Sequence, residues 1–140
     1  IKDSGGKFEN TKAMLDRFPG FRVFCGSERF LTDTARHGGA GCISALANVN
    51  AAAIAEAWRR REEPCAETRQ RALSAIRDIF EAYMVIPALK ETVARFGGCE
   101  SFRLVRPPLL PLGPEQSRAL TDRLLTAGFE MPELRQALAR

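Results

Sequence analysis

The sequence predicts a parallel α/β layer over its first 62 residues and a purely helical region after them. Three observations carry this expectation. Three short apolar segments alternate with helical patterns as far as Arg61, the order that leads to a parallel sheet or barrel. The segments after each apolar run, Asp3–Gly6, Gly26–Ser27 and Ala47–Asn50, are rich in Gly, Ser and Asn. From Pro64 onward apolar residues recur only at three- and four-residue spacing, the period of a helix with one buried face.

Taken in order, Ile1–Lys2 reads as the end of a strand. Phe8–Phe18 reads as a helix with Met14, Leu15 and Phe18 on one face, stopped by Pro19–Gly20. Phe21–Cys25 and Gly41–Leu46 read as short buried strands. Between them Ser27 is placed to cap a helix from Glu28 to His37, ended by Gly38–Gly39, and Asn50 to cap one from Ala51 to Arg61 with Ile54 and Trp58 inward. In the helical region Leu73, Ile76, Phe80 and Tyr83 mark a helix over 65–83. Pro87 opens another to Phe96, Gly97–Gly98 stops it, and the proline-rich stretch Arg103–Leu112 reads as extended loop. Pro114 opens a helix to Ala127 with Gly128 after it, and Pro132–Arg140 reads as a terminal turn or short helix.

Composition sets bounds on function. With 140 residues, 45% apolar and 27% charged, the chain is ordinary globular material and not disordered or collagenous. No run of 18 apolar residues is present, so no membrane span is expected. The net charge of +4 is mild, and its one dense cluster, Arg59–Arg61, is followed at once by Glu62 and Glu63. A nucleic-acid surface would show a basic stripe with aromatic platforms, so none is expected. Cys25, Cys42, Cys65 and Cys99 lack the paired spacing of a zinc site. Cys25 and Cys42 lie in apolar stretches and read as buried reduced thiols of a cytoplasmic protein, although an even cysteine count leaves disulfides open. The chain opens at Ile1 with no basic-then-apolar leader, so either it is processed or its beginning lies elsewhere.

Most motifs point nowhere specific. Asp3-Ser4-Gly5-Gly6 lacks the preceding histidine of a trypsin-like protease, and Gly38-Gly39-Ala40-Gly41 lacks the Lys-Ser/Thr of a phosphate loop. His37 reads as a cap or surface residue. Lys2 differs, because it lies at the carboxyl end of a short apolar strand, before a Ser/Gly turn. A lysine desolvated at such a place supplies a neutral amine that attacks carbonyl groups.

Three segments together narrow the reading: Ile1-Lys2-Asp3-Ser4-Gly5-Gly6, then Val23-Phe24-Cys25-Gly26, then Gly38-Gly39-Ala40-Gly41-Cys42-Ile43-Ser44 with Ala47-Asn48-Val49. In this order and spacing the chain resembles the dihydrodipicolinate synthase / N-acetylneuraminate lyase family over essentially its whole length. The resemblance implies the C-terminal half of a (β/α)8 barrel, strands six to eight in residues 1–62, followed by a three-helix extension in residues 63–140. It implies a class I aldolase or lyase acting on pyruvate-type 2-oxo acids without metal or organic cofactor. Lys2 matches the Schiff-base lysine, Ser4 a substrate-contacting hydroxyl, Gly26 the glycine ending the seventh strand, and Ile43 the residue whose main-chain carbonyl faces the keto acid. Glu28 falls in the stretch that reaches distal hydroxyls in sugar-acid members.

The family's proton-relaying tyrosine and its carboxylate-binding Gly-Thr-Thr-Gly-Glu-like loop belong to the first five strands, and no residue here matches them. A complete barrel needs about 250 residues, so the resemblance implies a missing N-terminal half, in cis or in trans, and a homotetramer or homodimer. The Lys-Asp-Ser-Gly-Gly run is similar to 4-hydroxy-2-oxoglutarate and 2-keto-3-deoxy sugar-acid members. Ala45 stands where sialic acid lyases usually carry serine, and Ile86–Lys90 departs from the Asn-Pro-x-Pro pattern of dihydrodipicolinate synthases. Condensation of pyruvate with aspartate semialdehyde stays as one alternative, and a non-catalytic half-barrel that needs a partner half as another.

Overall fold

The computed structural model describes residues 1–131 and Leu134. The turn or helix expected over Pro132–Arg140 lies, apart from Leu134, outside them. The chain divides into two compact units, Ile1–Ser74 and Ala75–Arg140.

The first unit is built on three parallel strands, β1 (Lys2–Asp3), β2 (Phe24–Cys25) and β3 (Gly41–Cys42), hydrogen-bonded in that order. The register pairs Lys2 with Phe24, Asp3 with Cys25, Phe24 with Gly41 and Cys25 with Cys42. Helix α1 (Phe8–Arg17) connects β1 to β2, a 3-10 turn (Glu28–Phe30) leading into α2 (Leu31–Arg36) connects β2 to β3, and α3 (Ala47–Arg59) follows β3.

Both later strands are shorter than their apolar runs suggest. Phe21 belongs to the preceding turn, its N–H bonded to the Phe18 carbonyl at 3.0 Å. Phe18 and Phe21 are each 53% exposed and meet edge to face, 6.5 Å between centroids. After Cys42 the chain turns at once into α3, the Ala47 N–H reaching the Ser44 carbonyl at 3.2 Å. Apolarity at Leu46 therefore signals burial under a helix start, not strand. Asn50 interrupts α3 with non-helical angles (φ −134°, ψ 31°), so the break expected there is real, but a helical turn from Ala47 precedes it.

The apolar stripe expected on α1 is not its buried face. Thr11 is the buried residue, while Met14 and Leu15 are half-buried and Phe18 exposed. Ser27 caps the 3-10 turn as expected, its hydroxyl accepting from the Arg29 N–H at 3.3 Å. Gly38, at φ 77°, takes the left-handed conformation that ends α2, and His37 is the exposed cap residue before it. Leu31, Ile54, Ala57 and Leu73 form the core behind the sheet, with Cys42 and Trp58 packed against it. Each large side chain buried there contributes about 2 kcal/mol of hydrophobic stabilisation.

In the Arg59–Arg61 cluster, Arg60 and Arg61 meet acidic neighbours, Arg61 reaching Glu62 at 3.4 Å. Arg60 pairs with Glu56 and Glu63, and Arg69 also reaches Glu63. The Arg60 guanidinium holds the Glu63 carboxyl below the usual carboxylate range.

Helix α4 (Ala66–Glu81) starts in the first unit and ends in the second, with Leu73, Ile76, Ile79 and Phe80 buried at helical spacing. The second unit continues with α5 (Val85–Gly97), a 3-10 turn (Glu100–Arg103) and α6 (Pro114–Thr126). Helix α5 starts two residues before Pro87, which remains in the first turn, where its lack of an N–H costs nothing. Glu91 of α5, 2% exposed, accepts from the Ser117 hydroxyl of α6 and pairs with Arg95 at 3.3 Å and Arg103 at 3.0 Å. Phe96 and Phe129 pack edge to face at 5.2 Å. No helix among the described residues is long and apolar enough to cross a membrane.

Candidate active site

Side chains alternate across a strand, so the register sorts the strand ends into two faces. Asp3, Cys25 and Cys42 share the face that meets the helices, with Asp3 8% and Cys25 0% exposed. Lys2, Phe24 and Gly41 share the opposite, inner face, and alternation carries Ser4, Gly26 and Ile43 to that side just beyond the strand ends. Four of the five sequence-predicted site residues thus come together at the carboxyl ends of neighbouring strands, where α/β proteins place their chemistry. This inner face is open: Lys2 and Ser4 are exposed, and Ile43 is 48% exposed.

The loop after β1 is fastened from behind. Asp3 Oδ2 accepts from the Thr11 hydroxyl at 2.7 Å and Oδ1 from the Gly5 N–H at 2.9 Å. Ser4 lies between these anchors. Gly26 lies so close to the neighbouring strand end that an added Cβ would stand 2.5 Å from the Asp3 carbonyl oxygen and 3.1 Å from Ser4 Cα. Both obstacles are backbone, so only glycine fits. Asp3 and Thr11 were not singled out by the sequence reading; the available signal was an aspartate two residues before a glycine, the spacing of a side chain that bonds its own turn.

Glu28, the fifth expected site residue, is placed differently. It is 0% exposed, and its Oε2 accepts from the Ser44 hydroxyl. Ser44 Oγ also accepts from the Leu46 N–H at 3.1 Å, and the Gln70 amide donates to the Glu28 carbonyl at 2.9 Å. The expected contact of Glu28 with a distal substrate hydroxyl is therefore not offered by this arrangement, because the carboxylate is sealed within the protein. Ser44 stands in one of the segments that carry the resemblance but has no role assigned from sequence, and Gln70 carries no sequence signal at all.

The two register-paired cysteines behind the site titrate together. The hydrogen bond from Cys42 draws the Cys25 thiol down to about 7 against the opposing effect of burial, while the same hydrogen bond and burial push Cys42 up. All four cysteines are free, so no disulfide staples the chain, and among the described residues no three His, Cys, Asp or Glu side chains are grouped to hold a metal ion.

A lysine and an obligatory glycine thus stand at adjacent ends of a parallel layer. The family model described as the dihydrodipicolinate synthetase family matches residues 1–127. The chain belongs to the dihydrodipicolinate synthetase family. Within that family, an uncharacterized DapA-like lyase from Chloroflexus aurantiacus is 35% identical over 123 residues, covering 86% of this chain and 40% of that protein. Dihydrodipicolinate synthase from Agrobacterium tumefaciens superposes with a TM-score of 0.76 at 25% identity, covering 91% of this chain and 42% of that one. A Sulfolobus 2-keto-3-deoxygluconate aldolase in complex with D-KDPG shares the fold, with a TM-score of 0.80 at 19% identity over 90% of this chain and 44% of that one. The chain spans about two fifths of the length of the relatives it matches. The fold is α/β, largely helical with short strands, and it matches part of the fold of these family structures.

Proposed function

We propose that this chain is the C-terminal part of a class I aldolase or lyase in which Lys2 forms a Schiff base with a pyruvate-type 2-oxo acid. The observation that carries the reading is the placement of Lys2 on the inner face at the end of β1, beside Gly26 and Ile43 at the next two strand ends, in a chain of this family. The Lys2 amine adds to the C2 carbonyl and water leaves; the C4 hydroxyl then gives up its proton, C4 departs as an aldehyde, and the electron pair of the broken C3–C4 bond passes to the iminium, which becomes an enamine. Protonation at C3 and addition of water then release the oxo acid and restore the amine. Ser4 hydrogen-bonds substrate, and the Ile43 carbonyl faces the keto acid. Residues 1–62 form strands six to eight of the barrel and residues 63–140 its helical extension, with the first five strands supplied in cis or in trans.

The proposed substrate class is a 4-hydroxy-2-oxo acid or 2-keto-3-deoxy sugar acid. Ser4 places a hydroxyl on the inner face just beyond β1, and a site that bonds substrate hydroxyls rejects analogues lacking them, because its own polar groups are left unpaired. A clear preference in kcat/KM for aspartate semialdehyde condensation would overturn that choice.

Borohydride with pyruvate tests the chemistry in the intact polypeptide that carries these residues. A stable mass should be added to the peptide containing Lys2, and Lys2→Arg should abolish both label and activity, since a guanidinium keeps the charge but forms no imine. A label on Lys7, Lys12 or Lys90, or activity surviving in Lys2→Arg, refutes the assignment. The second reading, a non-catalytic half-barrel, is favoured by the exposure of Lys2, since these residues alone do not supply the desolvation a neutral amine needs. The mass of the intact polypeptide and of any copurifying partner separates the two.

A further inference from the structure

Glu28 is a buried carboxylate that the proposed chemistry does not use. It is 0% exposed even though the inner face a residue or two away is open, with Ile43 48% exposed. Further barrel strands can only cover more of this surface, so a completed barrel does not bring the carboxylate into contact with a ligand. Its reach instead runs through Ser44. The Ser44 hydroxyl donates to Glu28 Oε2 and accepts from the Leu46 N–H at 3.1 Å, so one oxygen joins the turn after β2 to the turn after β3. Ser44 is itself buried, at 8% exposure.

Ile43 immediately precedes Ser44, and its own N–H bonds to the Cys25 carbonyl at 2.9 Å. The peptide of Ile43 is thereby held on one side by the sheet and on the other by the Ser44–Glu28 bond. Glu28 is braced in turn. Gln70 Nε2 donates to its carbonyl at 2.9 Å, while Gln70 Oε1 accepts from the Thr32 N–H at 2.9 Å. A charge-assisted hydrogen bond with both partners buried is a strong and directional tie, so it fixes geometry as well as adding stability.

We infer that Glu28 is a positioning residue that acts through Ser44 to fix the main chain of Ile43, the group that faces the 2-oxo acid in the proposed site. The inference rests on the Schiff-base reading. It sets Glu28 apart from a residue that contacts distal hydroxyls. Fixing Ile43 affects the keto-acid end shared by every substrate, whereas a distal contact affects only substrates that carry the hydroxyls.

Pyruvate, which has no distal hydroxyl, is therefore the deciding probe. In the intact polypeptide, the pyruvate concentration giving half-maximal borohydride labelling of Lys2 should rise about tenfold in Ser44→Ala, which loses a hydrogen bond to a charged group, and about threefold in Glu28→Gln, whose amide oxygen still accepts but without the charge. Ser44→Thr, which keeps the hydroxyl, should restore it. Should Ser44→Ala fail to fold, Glu28→Gln and Ser44→Thr carry the comparison. Ser117→Ala removes the equivalent buried bond to Glu91 in the second unit and serves as the control. It should lower the unfolding temperature without moving pyruvate labelling. Unchanged pyruvate labelling in both site variants, with loss confined to hydroxylated substrates, would overturn the inference in favour of direct contact. Labelling that falls equally in Ser117→Ala would reduce Glu28 to a structural role. Absence of any label in the unsubstituted protein would instead refute the Schiff-base reading itself.

Discussion

Two side-chain positions at the candidate site have consequences that can be measured singly. Gly26 cannot accept a Cβ without pushing the Asp3 carbonyl and Ser4 Cα away, and neither belongs to a flexible side chain. Gly26→Ala should therefore destabilise by about 1–3 kcal/mol, the usual cost of overpacking, read as a lowered denaturant midpoint; an unchanged midpoint would show that the strand ends can separate. The cysteine pair predicts a pH signature. Cys25 falls from the ordinary thiol value of 9.0 to about 7, so between those values the unfolded chain holds more protons and stability rises with pH. Cys42 is shifted upward, so its contribution is present below 9.0 and lost as the pH climbs beyond it. The unfolding midpoint should rise from pH 7 to 9 and fall above, and Cys42→Ala, which removes the donated hydrogen bond, should abolish the rise. Melting curves that stay flat across this window would contradict the coupling.

Among elements, the join between β1 and α1 is the most informative. Helix α1 lacks a side-chain cap at Lys7, and its buried residue is a threonine. The Thr11–Asp3 bond ties it to the end of β1, alongside the packing of Phe8 on Phe30. Thr11→Val removes the donor and leaves a buried carboxylate short of a partner, at a cost of about 1–3 kcal/mol. Thr11→Ser should recover most of that loss in thermal unfolding. In the second unit Gly98 closes α5 at φ 71°, where a side chain is strained. Gly98→Ala should lower stability by about 1 kcal/mol. A stabilised Gly98→Ala protein would mean that the cap is adjustable.

For the molecule as a whole, the three strands leave β1 and β3 as sheet edges among the described residues, and the inner face between them carries exposed Ile43. Open edges and uncovered apolar faces favour further pairing, which supports the proposal that more barrel strands complete the site. Protein purified with its natural partner or remaining chain should form the pyruvate imine, whereas residues 1–140 alone should not; equal labelling in both would show that the half-barrel suffices. The sequence by itself determined the strand–helix order, the caps at Ser27 and Gly98, the helical spacing of α4 and the family, because periodicity, turn chemistry and motif spacing are local properties of the chain. Tertiary structure decided how short the strands are, which face of α1 is buried, and that Glu28 turns inward onto Ser44 while Asp3 grips Thr11. Those outcomes depend on partners 8 and 16 residues away, brought together only when a helix packs back on its strand and the parallel strands pair, and no local pattern encodes that packing.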